Sequence, residues 1–340
     1  MAIIFACFGR IDSLIEVELC LGMRQLLGAG VRGYIATTDY DWFTFLRARQ
    51  PLDEVNFWQP SAHGFSSASG TPFFFKLKSP HWKIGGFGIF ARYEPATPRL
   101  AWEAFGENNG TPSFEVMSAR LSRYARGAGG AQHRIGCIMI VRPIFFTDDE
   151  LVDQPRDWRN NIVSGAGYDL TKGEGLRIWS ECRARVSEHS AAADGLVAEP
   201  AARYGEAQIS YPRLGQGTFR VAVTGAYEGA CAVSREHSLP ALEAAHIRPY
   251  AAEGAHAVTN GLLLRADIHR LFDAGYVTVT PDSRFVVSQR LAQEWENGRV
   301  YYAMDGREIA LPSKKSDQPD PQLLRWHNEN VFERPAVSGS

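Results

Sequence analysis

Cysteine pairs are missing from this chain. The 340 residues contain five cysteines, at positions 7, 20, 137, 182 and 231, and none of them forms a CxxC pair. Structural zinc sites usually draw their thiolates from such close pairs, and disulfide frameworks usually occur in short, cysteine-dense secreted chains. We therefore expect neither a disulfide framework nor a structural zinc ion.

Long hydrophobic runs are also missing. No apolar stretch reaches the roughly 18 residues that a membrane-spanning helix requires. The first residues, MAIIFACFGR, lack the early basic residues and the small-residue cleavage site of a signal peptide. These features predict a cytoplasmic protein with no membrane partner.

Positive charge is not in excess over the whole chain, since 36 Lys and Arg against 38 Asp and Glu give a formal net charge of -2. The composition is therefore not that of a generally basic nucleic-acid-binding protein. The charge is unevenly distributed, because residues 72–134 contain nine Lys and Arg but only four Glu. This segment is expected to present a basic face.

The length of the chain and its hydrophobic content of 45% allow a sizeable core and favour two domains in an α+β fold. Residues 1–33 form an extension to which we assign no function. Residues 34–180 are predicted to form the first domain, and the small and polar residues of 181–205 a linker. Residues 206–300 are predicted to form the second domain, and residues 301–340 a tail.

The stretch ALEAAHIRPYAAEGAHAVTNGLLLRADIHRLFDAGY, residues 241–276, has the pattern of two strands followed by a helix. ALEAAHI is a short apolar run that ends before Pro249, and Asn260 and Gly261 begin a second apolar run. ADIHRLFDAG then places apolar side chains on one helical face, with Gly275 just past its end. The order is strand, loop, strand, helix.

This order resembles the HNH nuclease family, the ββα-metal fold, in the subgroup whose motif runs LEAAHI, NGLLL and DIHRLFD. The resemblance implies that His246 is the general base, that Asn260 holds the loop between the strands, and that His269 binds a divalent metal ion. Mg²⁺ is expected, with Mn²⁺ or Ni²⁺ as alternatives. The chemistry agrees, because an imidazole with a pKa of about 6.5 is mostly neutral, and able to activate water, at slightly alkaline pH.

One position departs from the family pattern. Most HNH nucleases have a metal-binding Asp or His directly before the base, where this chain has Ala245. Because side chains alternate along a strand, Glu243 points to the same side and is one candidate for the missing ligand. Asp267 is the second candidate. Asp273, one helical turn after the metal-binding histidine, is expected to orient its ring, and Arg248 to bind a phosphate oxygen.

The first domain contains short strands at a spacing that predicts a small mixed β-barrel with inserted helices. The strand order resembles the PUA-like superfamily, which includes SRA, EVE, YTH and ASCH domains, several of which hold a flipped, modified base. The segments that carry this resemblance are FWQPS, FFFKLKSP, IGGFGIFARY and GCIMIVRPIFF.

Aromatic and polar side chains near the predicted strand ends are candidates for a base pocket. Stacking on an aromatic ring is worth about 1–3 kcal/mol per base, so two rings offset the few kcal/mol needed to flip a base. Packing in the barrel core is the alternative role for each tryptophan. The candidates are Asp41, Trp42, Trp58, Ser79, His81 and Trp82.

Together the two resemblances imply a metal-dependent endonuclease that acts on double-stranded DNA carrying a modified base, in restriction of foreign DNA. One HNH site cuts one strand, so a homodimer is expected for double-strand cleavage. Two alternatives remain open. One is a non-cleaving modified-DNA-binding protein with a vestigial HNH domain, and the other is a nuclease whose first domain reads sequence or RNA.

Overall fold

The computed structural model describes residues 31–124, 134–193, 215–249 and 257–332. Most of the extension at 1–33, the second half of the linker at 181–205 and the end of the tail lie outside these residues. None of the helices in the described part of the chain is long and apolar enough to cross a membrane.

The N-terminal half is built on one seven-stranded sheet with the strand order β2-β5-β4-β3-β1-β7, in which β6 also pairs with β4. β1 and β3 are parallel, whereas β3 and β4, β4 and β6, and β1 and β7 are antiparallel. The sheet is therefore mixed, and with the surrounding helices it confirms the α+β class. The strands are β1 Arg32–Thr38, β2 Glu54–Gln59, β3 Pro72–Leu77, β4 Lys83–Ala96, β5 Ile135–Phe145, β6 Val152–Asp153 and β7 Gly165–Asp169.

Strand β3 is covered on both faces, which explains its continuous apolar sequence. On one face, the Phe75 ring stacks on Phe145 at a centroid distance of 5.2 Å. On the other, the Phe74 ring meets Trp179 edge-on at 5.9 Å. Trp179 belongs to a helix that packs on this face. Because side chains alternate along a strand, successive phenylalanines of β3 pack into the cores on opposite faces of the sheet.

In the described residues of this half, four helices accompany the sheet. α1 follows Asp39, whose carboxylate pairs with Lys78 instead of capping the helix. α2 begins with a proline after Thr97, and the Thr97 hydroxyl accepts a hydrogen bond of 3.2 Å from the Leu100 amide, as an N-cap should. Their bounds are α1 Tyr40–Arg47, α2 Pro98–Phe105, α3 Phe114–Tyr124 and α4 Gly173–Ala193.

The C-terminal half contains the predicted strand–loop–strand–helix order. β8 and β9 are antiparallel, with His246 opposite Gly261, and α6 follows β9 without a break. After the motif, β10 and β11 form an antiparallel hairpin. The elements are α5 Gln216–Ala226, β8 Leu242–His246, β9 Gly261–Arg265, α6 Ala266–Asp273, β10 Val277–Val279, β11 Phe285–Val287, α7 Arg290–Trp295, α8 Arg299–Tyr302 and α9 Pro321–Asn330.

Helix α5 packs directly against the start of β9. A Cβ atom on Gly261 would lie 2.5 Å from the Val223 side chain and 3.0 Å from the Phe219 ring. A contact below 3 Å is a steric clash, so only glycine permits this approach. The close packing fixes the hairpin relative to the helix that lies behind it.

The chain divides into two compact units, and each is continuous in space but not in sequence. The first unit contains residues 1–55, 66–91 and 140–212, and the second contains residues 56–65, 92–139 and 213–340.

Candidate active site

Asn260 joins the two ends of the loop between β8 and β9. Its side-chain oxygen accepts a hydrogen bond of 2.9 Å from the Arg248 amide, and its side-chain nitrogen donates one of 2.9 Å to the Arg248 carbonyl. The Asn260 backbone carbonyl also accepts from the Ile247 amide at 2.9 Å. With Asn260 only 1% exposed, this buried amide fixes the chain directly after His246.

His246 ends strand β8 and lies face to face with Phe219 of α5. The two ring centroids are 3.9 Å apart and the ring planes differ by 10°. Phe219 is buried, so the imidazole rests on a fixed apolar surface. This contact limits the orientations of the ring, which is what a positioned general base requires.

His269 of α6 lies between two carboxylates. Its Nδ1 is 2.7 Å from Oε2 of Glu243, and its Nε2 is 3.3 Å from Oδ2 of Asp273, one helical turn further on. Partial burial raises the pKa of the Asp273 carboxyl, and the negative charge of Glu243 raises it further. The positively charged form of His269 lowers the same pKa and so opposes these effects. The structure therefore brings together two predicted metal ligands, His269 and Glu243, and Asp273, which was predicted to orient the His269 ring.

Asp267, the other candidate ligand, has different partners. Arg265 donates to both of its carboxylate oxygens, at 2.6 and 2.7 Å, and the Tyr301 hydroxyl donates at 3.0 Å. The hydrogen bonds from Arg265 are the largest cause of a lowered Asp267 pKa. Ala245 is fully buried, so its strand position offers packing and no ligand.

Arg248 follows β8 and is half-buried. Its guanidinium carbon is 5.2 Å from the ring centroid of Trp326 in α9. Such cation–π contacts favour one orientation of a long side chain that would otherwise be disordered in solvent. Trp326 is a residue of this site that the sequence did not suggest, because 78 positions separate it from Arg248.

The His269 cluster offers a limited donor set for a metal ion. Glu243 and Asp273 face opposite nitrogens of the ring, so an ion on one nitrogen has only one of the two carboxylates beside it. In agreement, no group of three or more His, Cys, Asp or Glu side chains in the described ranges is arranged to hold a metal ion. One carboxylate, with waters and phosphate oxygens, is a donor set typical of Mg²⁺, whereas the imidazole is a ligand more typical of ions such as Ni²⁺.

The base-pocket candidates are dispersed among several environments. Trp42 is in the core, with its ring 5.4 Å from Phe75, and the Trp58 indole donates to the Asn109 carbonyl at 2.9 Å. Asp41 and Ser79 are exposed. His81 stacks on Tyr40 at a centroid distance of 3.8 Å. Trp82 has 48% of its surface exposed.

Comparison with known proteins identifies the C-terminal motif. Residues 231–280 match the HNH endonuclease family model HNH_2. The predicted resemblance to HNH nucleases is thereby confirmed for this segment, which contains β8, β9 and α6, and a nuclease is the class of enzyme that it indicates. No curated protein matches the chain.

Two solved structures resemble the chain distantly. An ASCH protein from Zymomonas mobilis is 14% identical, with a TM-score of 0.29, over 43% of this chain and 94% of that one. The modification-dependent TagI restriction endonuclease is 13% identical, with a TM-score of 0.26, over 93% of each chain. Likenesses at these TM-scores give no information on binding or activity.

Proposed function

We propose, from the premise that residues 231–280 form an HNH endonuclease domain, that this protein is a metal-dependent DNA endonuclease that reads a modified base. Its N-terminal domain, predicted at 34–180, would read the base in double-stranded DNA, and the domain at 206–300 would cut. Restriction of foreign DNA is the expected role. The observation that carries the proposal is the cluster of Glu243, His269 and Asp273. Glu243 belongs to β8, the strand that ends in His246.

His246 is the proposed general base. Its imidazole takes a proton from a water molecule as the water oxygen attacks phosphorus, and the bond from phosphorus to the leaving oxygen breaks. The stacked Phe219 ring and the Asn260 bridge hold the imidazole and the following loop in place during this step. Positioning of this kind contributes to the rate, because misplacement of a catalytic group by about 1 Å can cost about a hundredfold.

His269 and Glu243 are the proposed metal-binding residues. A divalent ion bound there would neutralise charge on the phosphate and leaving oxygens. Asp273 lies 3.3 Å from the opposite nitrogen of the ring, and with the ion on the first nitrogen it would face the remaining N–H and favour that tautomer. Arg248, held over Trp326, is the proposed phosphate contact.

A single experiment tests the nuclease and its dependence on modification. Purified protein with Mg²⁺, Mn²⁺ or Ni²⁺ is incubated with plasmids that carry modified cytosine, modified adenine or no modification. We expect metal-dependent cleavage that is faster on a modified plasmid. H246A should lose cleavage by at least about a thousandfold while its DNA affinity stays within a few-fold, because only the proton acceptor is removed.

His237, an exposed histidine in the same unit, provides the matched control, and H237A should cut as the wild type does. Full activity in H246A would refute the mechanism. Equal rates on all plasmids would remove base reading and leave the nuclease. Binding without any nicking would favour the non-cleaving alternative, which the buried Ala245 at the usual ligand position supports.

A further inference from the structure

Lys76 is a charged residue buried in the aromatic strand β3, with only 1% of its surface exposed. Its ammonium nitrogen lies 4.8 Å from the ring centroid of Trp82 and 4.8 Å from that of Trp158. No carboxylate in the described part of the chain pairs with it. Burial lowers its pKa.

Two buried polar atoms in neighbouring segments of the chain have no hydrogen-bond partner among the described residues. In the sheet register, Lys76 is opposite Thr37 of β1 and Ile84 of β4. The buried Thr37 hydroxyl accepts and donates no hydrogen bond within the described structure, and neither does the side-chain oxygen of Gln154, two residues beyond the strand partner of Ile84. Buried polar groups normally have partners, so this end of the sheet has unused hydrogen-bonding capacity.

The two tryptophans differ in how firmly they are held. Trp158 is half-buried and stacks parallel to Tyr168, whose hydroxyl donates to Asp157 at 2.9 Å. Trp82 is 48% exposed and has a φ of +51°, which is unusual for a bulky residue. Backbone strain of this kind is typical of ligand sites. The Trp158 ring is therefore held in place by its neighbours, whereas the Trp82 ring is open to solvent.

We propose that Lys76, Trp82 and Trp158 form the base pocket of the N-terminal unit, and that Lys76 selects a base with an oxygen-bearing substituent. The proposal rests on the proposed function and specifies its substrate. Because the ammonium is covered in this structure, the exposed Trp82 ring moves aside when the base enters. The flipped base then stacks on this ring, and an oxygen atom at its edge accepts a hydrogen bond from the ammonium. Because no carboxylate of the described residues pairs with the ammonium, an anionic substituent gains most.

For cytosine derivatives, the predicted order of affinity is 5-carboxyl, then 5-hydroxymethyl, then 5-methyl. A hydrogen bond between a charged donor and a charged acceptor strengthens binding by roughly tenfold or more over the same base with a methyl group. The uncharged hydroxymethyl group should fall between the two.

The test measures binding of the full-length H246A chain to short duplexes by fluorescence anisotropy, without cleavage. Five duplexes differ at one central position: cytosine, 5-methylcytosine, 5-hydroxymethylcytosine, 5-carboxylcytosine, or N6-methyladenine in place of the cytosine. The carboxylated duplex should bind about tenfold more tightly than the methylated one. Adding K76M should abolish this difference, and adding W82A should weaken binding of every modified cytosine.

Two matched variants control for charge and for aromatic surface. K78M removes a lysine two residues away that is paired with Asp39 at the surface, and W295A removes an exposed tryptophan of the other unit. Both should keep the preference. W82A changes an exposed ring and so tests the pocket even if K76M fails to fold.

Each contrary result has one meaning. Equal binding of all five duplexes overturns base reading itself, and with it this pocket. A preference that survives in both K76M and W82A overturns the pocket but leaves base reading intact. A preference for 5-methylcytosine or N6-methyladenine over 5-carboxylcytosine overturns selection by Lys76.

Discussion

Glu243 illustrates what could be predicted about a single residue. Strand alternation alone identified it as a replacement for the ligand missing at Ala245, and the structure places its carboxylate 2.7 Å from His269. Asp267 was an equal candidate by sequence. Its partner Tyr301 lies 34 residues further along the chain, so no local pattern revealed that its carboxylate is already engaged.

This difference between the two carboxylates predicts different metal requirements. E243Q removes the carboxylate beside His269 and should raise the Mg²⁺ concentration for half-maximal cleavage by about 10- to 100-fold. D267N removes a carboxylate held by Arg265 and Tyr301, so its metal requirement should stay close to that of the wild type. The measurement is the initial cleavage rate as a function of Mg²⁺ concentration.

Both substitutions preserve size and remove one negative charge, so each controls for the other. If D267N needed more Mg²⁺ than the wild type and E243Q did not, Asp267 and not Glu243 would be the metal ligand.

Lys76 shows what was missed at the same scale. A lysine inside the apolar run FFFKL was a visible signal, since a charged residue is seldom buried without a partner. The predicted base-pocket candidates include three tryptophans but not this lysine. Of these, Trp42 lies in the core and the Trp58 indole is bonded to a backbone carbonyl. Residue type indicated aromatic content but not which rings face solvent.

The order of elements in the second half followed from local signals. Three residues mark the boundaries of these elements: Pro249 follows β8, Asn260 precedes β9, and Gly275 follows α6. Each residue affects the backbone only at its own position and its immediate neighbours. Helix α9 was different. No local signal shows where the predicted tail at 301–340 lies, and the structure buries Leu324 and His327 in the core around β10.

His327 makes the attachment of α9 sensitive to pH. It is 2% exposed, its Nδ1 is 2.8 Å from the Thr278 hydroxyl, and its Nε2 donates to the Phe272 carbonyl at 3.1 Å. Burial lowers its pKa from 6.5 to about 4. Between these two pH values the unfolded chain binds a proton that the folded chain does not, so stability falls as the pH decreases from 6.5 toward 4.

We expect wild-type protein to lose about 2 kcal/mol more stability than H327Q between about pH 7.5 and about pH 5, because glutamine does not titrate. Urea unfolding of both proteins at the two pH values measures this difference. H237Q, at an exposed histidine, should behave as the wild type does. Identical pH dependence in wild type and H327Q would contradict the assignment.

At the scale of the whole molecule, local patterns are a poor guide to what packs together. The predicted domain bounds, 34–180 and 206–300, are contiguous, and they remain a prediction. The compact units group residues 92–139 with the C-terminal residues. The cause is a long-range contact between α2 and α5, where a Cβ on Gly217 would lie 2.5 Å from the Ala104 carbonyl oxygen. Hydrophobic periodicity carries no information about such pairings.

The number of active sites that act on one DNA molecule depends on how many protomers bind it. The chain contains one HNH segment, at residues 231–280, and one such site cuts one strand. Double-strand cleavage then requires two protomers, and we predict that a homodimer is the active form. The two strands would be cut by different copies of His246.

Mixing wild-type and H246A proteins tests this directly. After subunit exchange, a mixed dimer holds one competent site, so increasing amounts of H246A should convert linear plasmid product into nicked circles at constant wild-type concentration. H237A, mixed in the same ratios, should leave linear product undiminished because its sites are intact. If H246A leaves the ratio of linear to nicked product unchanged, the two cuts come from independent monomers. The ratio of linear to nicked product distinguishes a dimer from independent monomers. It depends on whether both active sites bound to one DNA molecule are competent, and not on the total activity.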